Sequence, residues 1–89
     1  IVPLINLRLA ILYYRLKDFD NALKFIEPLE NTKLADKGII LAGQIYEMDL
    51  VNIEKAIGLY IRILDEYPSS IFAEPIRYHI RKIQKVKNS

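Results

Sequence analysis

Between Asn52 and Ser70 the apolar positions fall at helical spacing: Ala56, Tyr60, Ile63 and Leu64 lie three to four residues apart and share one face. Lys55, Arg62 and Glu66 stand away from the centre of that face, and Pro68 with Ser69 and Ser70 ends the segment. Read the same way, the whole chain predicts five helices. The first runs from about Leu4 to Leu16, with Pro3 in the opening turn, where a missing N–H loses no partner. Its apolar residues do not keep to one stripe. Leu4, Leu7 and Ile11 cover one side; Leu9, Tyr13 and Leu16 cover the opposite one. Only Arg8 with Arg15, and Asn6 with Lys17, form narrow polar seams. A helix apolar nearly all round is buried on more than one side, and five short helices are expected to leave part of it uncovered.

After the first helix, Lys17-Asp18-Phe19-Asp20 predicts a tight connection, with Asp18 or Asp20 capping the next helix. That second helix carries Ala22, Leu23, Phe25, Ile26 and Leu29, and Pro28 should kink or stop it near Glu27. Asn31-Thr32 turns the chain, with Thr32 as a candidate cap. A third helix is expected from about Leu34 to Met48, and Asp49 to Asn52 connects it to the fourth. The last begins between Ile71 and Pro75, continues through Ile76, Tyr78, Ile80 and Ile83, and is expected to fray into Lys87-Asn88-Ser89.

The chain repeats itself. Ala10 and Gly43, and Tyr13 and Tyr46, are 33 residues apart; Ala22 and Ala56, Ile26 and Tyr60, and Leu29 and Ile63 are 34 apart. One inserted residue around Leu50-Val51 accounts for the step, and two units aligned at five positions form a specific signal of a helix-turn-helix repeat. The stretch LAILYYRLKDFDNALKFIEPL resembles the tetratricopeptide pattern at Leu9-Ala10, Tyr13, Phe19, Ala22, Ile26 and Leu29. Gly43, Tyr46, Ala56, Tyr60, Ile63 and Pro68 match it in the second unit. The tail YPSSIFAEPIRYHI resembles a join common in bacterial tetratricopeptide proteins, including some of the cell envelope. The resemblance implies an all-α, right-handed superhelical stack of antiparallel helix pairs: unit one over about 4–33, unit two over 34–69, and a terminal helix over 71–87. Close packing explains the pattern physically. Ala10, Ala22, Gly43 and Ala56 would sit where paired helices cross, and Gly43 sacrifices ~1 kcal/mol of helix propensity against alanine to allow the approach. Pro28 departs from the pattern, and Arg81 and Gln84 stand where a third unit would carry its small residue and tyrosine. The last helix therefore reads as a polar cap.

Composition narrows the functions. Eighty-nine residues allow one small domain with a thin core, and a net charge of +2 does not by itself indicate nucleic acid or membrane. Without cysteine there is no disulfide, thiolate metal site or thiol nucleophile. No apolar run approaches the ~20 residues that span a bilayer. The chain opens at Ile1 with no signal-peptide pattern and reads as a segment of a longer protein, of envelope or cytoplasm alike. His79 is the lone histidine, with no thiol and no obvious carboxylate fixed beside it in its own helix, so a surface or half-buried role outweighs catalysis. Asp18 and Asp20 suit capping better than acid–base work or calcium, and Gly38, Gly43 and Gly58 form no phosphate loop. Arg77, Arg81 and Lys85 make a basic strip. It could meet phosphates or acidic lipid, but a solvated face whose charge offsets the helix C-terminus is the simpler reading.

Helix pairs of the resembled kind curve, with the first helix of each pair lining the concave side. By matching positions, that side presents Leu4, Leu7, Arg8, Ile11, Tyr14 and Arg15 from one unit and Leu41, Gln44, Glu47 and Met48 from the next. Some relatives clamp a peptide carboxylate with lysine and asparagine there; Leu7, Ile11 and Leu41 occupy those places, so that clamp is absent. The expectation is a non-enzymatic protein-interaction scaffold without cofactor, whose apolar groove binds a peptide, helix or neighbouring domain. Self-association through the first helix, whose side of Leu4, Leu7 and Ile11 with Tyr14 is expected to lie open, is the alternative. Polyanion or membrane binding by the last helix is weaker still.

Overall fold

All five predicted helices form. The computed structural model describes residues 2–87, with side chains through Lys85, and shows α1 (Val2–Arg15), α2 (Phe19–Ile26), α3 (Ala35–Gln44), α4 (Ile53–Glu66) and α5 (Ala73–Lys87). No strand occurs among the described residues, and the molecule is all-α. The expected fraying at Asn88 and Ser89 lies outside them. The helices form a plate 42 × 29 × 15 Å across. α1 packs chiefly on α2, α3 on α4, and α5 on α4.

Caps at matching positions start the second helix of each pair. Asp18 Oδ1 accepts from Asn21 N at 3.3 Å, and Asn52 Oδ1 accepts from Lys55 N at 3.2 Å. Each cap follows a residue in the left-handed region, Lys17 (φ 61°) and Val51 (φ 51°). At the end of α1, Lys17 N donates to Tyr14 O and Asp18 N to Tyr13 O, the paired bonds of a Schellman stop. The corresponding bond in the second unit runs from Asn52 N to Tyr46 O and encloses one residue more. That is the register step between the 33- and 34-residue spacings. α3 absorbs it by widening into a π-helical turn over Ile45–Asp49, with Leu50 N donating to Ile45 O.

Pro28 acts as expected: α2 stops at Ile26 and tightens into a 3-10 turn over Glu27–Leu29. Thr32 does not cap α3. The N-cap residue is Leu34, with no side-chain cap bond; Thr32 Oγ1 instead donates to Leu29 O (2.7 Å) and accepts from Leu34 N (3.2 Å), closing the turn itself. Ser70 repeats this ahead of α5, accepting from Phe72 N at 3.1 Å while donating to Asp36 Oδ2 at 2.7 Å.

Small residues lie at the helix crossings. Ala10, Ala22 and Ala56 are fully buried, and a Cβ on Gly43 would collide with the Tyr60 ring. Two groups of side chains result: one around Ala10, Ala22, Ile26, Ala42 and Ile45, the other around Ala56, Tyr60, Ile76 and Ile80. Tyr13 stacks on Phe25 at 5.5 Å beside the first. Across the joint between the pairs, Arg62 forks onto Glu30 (2.9 and 3.1 Å) and reaches Glu66 of its own helix at 2.9 Å. The guanidinium holds the Glu66 carboxyl below its ordinary range.

The open side of α1 is not the one expected. Leu7 and Tyr14 stand one turn on either side of buried Ala10 and share its inward face; they and Ile11 are half-buried, and only Leu4 of that set is exposed. The uncovered side lies opposite Ala10: Val2 (67% exposed), Ile5 (50%), Leu12 (51%) and Leu16 (65%). Ala10 and Ala22 of α2 are fully buried in one group, so the contact with α2 is centred on the small residues. That centre fixes which flank faces solvent.

Candidate functional site

The π-helical turn carries Glu47 to a point where three helices meet. Its Oε1 accepts from the Tyr60 hydroxyl of α4 at 2.8 Å and lies 2.8 Å from His79 Nε2 of α5. The His79 ring meets the Tyr60 ring edge-on, with centroids 5.5 Å apart. Tyr60 is buried, so its hydroxyl needs a partner, and Glu47 supplies it. Burial first, and the Glu47 carboxylate second, hold that hydroxyl protonated well above the ordinary tyrosine range. The Glu47 side chain retains 14% exposure.

Above this cluster opens a cleft of about 550 Å³. Tyr14 of α1, Ile40 and Gln44 of α3, Glu47 and Met48 of the π-helical turn, and Tyr60 of α4 line it on one side. Phe72, Pro75, Ile76 and His79, just before and along α5, line it on the other. Its surface is apolar apart from Gln44, the tyrosine hydroxyls and the Glu47–His79 pair. A second hollow of about 360 Å³ lies between the two inter-pair turns, lined by Thr32, Lys33, Asp36 and the 66–70 segment.

Of the residues assigned to the groove from sequence, Tyr14, Gln44, Glu47 and Met48 line the cleft together. Leu4, Leu7, Arg8, Ile11 and Arg15 do not line it: Arg8 and Arg15 are exposed, and Leu41 packs into the Ala10–Ile45 group instead. The basic strip is exposed at Arg77, Arg81 and Lys85, with Arg77 paired to Glu74. Sequence reasoning missed the α5 wall and the partner of His79. Phe72, Pro75, Ile76 and His79 recur at helical spacing, a signal that could have found the wall. Nothing in the spacing of Glu47 and His79, 32 residues apart, announces that they touch.

No group of three or more metal-ligating side chains gathers among the described residues, and no helix there is long and apolar enough to cross a membrane. Compared with known proteins, the chain matches no family model, no curated protein and no solved structure.

Proposed function

We propose that this chain is a tetratricopeptide-like interaction module that binds a peptide or helix of a protein partner and catalyses nothing. The observation that carries the reading is the cleft: an apolar trough bordered by α1, α3 and α5, in which only a few polar groups interrupt the walls. Such a surface offers area for burial and a few fixed points for orientation. The 33- and 34-residue spacings, the matching caps at Asp18 and Asn52, and the approach of Tyr60 to Gly43 support the repeat character of the scaffold.

The test is a peptide array probed with the intact chain, followed by a cleft-filling Gln44→Trp variant. Capture of peptides with apolar anchors, weakened about ten-fold or more by Gln44→Trp at unchanged helicity, is the expected result. Capture indifferent to Gln44→Trp would remove the cleft from the reading. A second reading, self-association, is favoured by one observation of its own: the open side of α1 at Val2, Ile5, Leu12 and Leu16.

A further inference from the structure

α1 presents a second surface to solvent. Tyr14 is turned to the cleft, but the side opposite Ala10 is not. There Val2, Ile5, Leu9, Leu12 and Leu16 lie alternately three and four residues apart, the spacing that keeps a row facing a partner helix over two heptads. All but half-buried Leu9 are exposed, and Leu16, one residue past α1, still donates its N–H to Leu12 O at 3.1 Å. Arg8 immediately precedes Leu9 and Arg15 precedes Leu16, so one arginine per heptad borders the row on the same side. Both are exposed, and among the described residues no ion pair engages either one. The other border carries uncharged Asn6 and Tyr13, and no acidic residue stands between Ile1 and Lys17. A heptad row buries apolar area against any similar row; the charges beside it choose the partner.

We propose that this face docks an acidic amphipathic helix of a partner protein, whose own apolar row packs on Val2–Leu16 while its flanking carboxylates meet Arg8 and Arg15. The site is independent of the cleft and of the peptide-binding reading. Charge decides against a second copy as the preferred occupant. In an antiparallel pair of α1 helices, arginine meets arginine; in a parallel pair the arginines meet the border of Asn6 and Tyr13, which returns no charge. A bilayer surface is disfavoured as well. Two cations on one border fall short of the about four to eight that mark a polybasic lipid site. An acidic helix answers both the row and its border. Because α1 is already folded against α2, only the incoming helix has to be ordered. Self-association through the same row is the weaker use of the face, and the acidic helix displaces it.

Two blocked peptides of about three heptads test this, each with leucines along the row and either glutamate or lysine at both borders; like charges keep each from pairing with itself. They are titrated by NMR into the isotope-labelled intact chain at neutral pH. The expected result is binding about ten-fold or more tighter for the glutamate peptide, with amide shifts along α1 and a preference that shrinks as salt rises. Arg8→Glu with Arg15→Glu, at two exposed positions, should reverse the preference toward the lysine peptide, an outcome that a misfolded chain does not give.

Equal affinity for the two peptides, a glutamate preference that survives the double change, or no binding by either overturns the proposal. A chain that self-associates undisturbed by the glutamate peptide assigns the row to a second copy. One that binds phosphatidylserine–phosphatidylcholine vesicles and neither peptide assigns it to a lipid surface; both results overturn the acidic helix. Shifts confined to Gln44–Met48 and Phe72–His79 also overturn it, and leave the reading of the cleft standing. The salt dependence and the map of shifted amides decide the matter even if the double variant fails to fold.

Discussion

A single methyl group has opposite consequences at two glycines. A Cβ on Gly43 would overlap the Tyr60 ring, whereas a Cβ on Gly58 meets nothing within 4 Å. Gly43→Ala is therefore expected to destabilise by about 1–3 kcal/mol through overpacking, against a propensity gain of ~1 kcal/mol that it cannot realise. Gly58→Ala should stabilise by about 0.5–1 kcal/mol. Urea melts of the two variants measure both signs; a stabilised Gly43→Ala would mean that the helices cross elsewhere. The need for a small residue at position 43 was legible, because the repeat set Gly43 against Ala10 and a mid-helix glycine requires a reason. The meeting of Glu47, Tyr60 and His79 was not. It depends on the azimuth of three helices and on a widened turn, and a shift of one residue in that turn changes which side chain faces the cleft. Thr32 misled for a related reason: its hydroxyl had two uses within reach, a helix cap and a turn closure, and composition does not separate them.

Among the elements, α1 is the least satisfied. Its inward face is narrow, centred on Ala10, and four large aliphatic side chains on the opposite side meet solvent. Val2, Ile5, Leu12 and Leu16 follow the spacing of a helix-pairing seam, with half-buried Leu9 completing the row. Burying such a row twice over in a symmetric pair is favourable at ~25 cal/mol per Å², before association costs. The chain alone is expected to associate with rising concentration in sedimentation velocity. Ile5→Glu with Leu12→Glu should hold it monomeric at unchanged helicity. A wild-type chain that stays monomeric to millimolar concentration would show that the row is tolerated bare. That α1 would be underpacked was legible from its all-round apolar composition, but the side left open was not. Hydropathy cannot rank two apolar flanks; the position of the small residue can, once the partner helix is known to cross there.

For the whole molecule the decisive dimension is the shortest, 15 Å. A plate so thin has no common centre, and each helix pair relies on its neighbour, as in a one-dimensional array. α3 with its π-helical turn, and α4, are flanked on both sides and hold Ile45, Tyr60 and Ile63, three of the four largest fully buried side chains. Native-state hydrogen exchange should therefore find the slowest amides in α3 and α4 and the fastest helical ones in the first turns of α1. Uniform protection across all five helices would instead indicate a single cooperative core. The spacing of 33 and 34 residues predicts a serial layout of this kind, since a repeat too small to enclose a core must borrow one. The additional residue in the turn after Tyr46 has a consequence best put in the language of genes. The two units differ there by the equivalent of one codon. Removing it would return the turn to the form seen after Tyr13 and release Glu47 from the widened segment that holds it. The lining of the cleft and the scaffold are thus separable by the smallest in-frame change, without redesigning a helix.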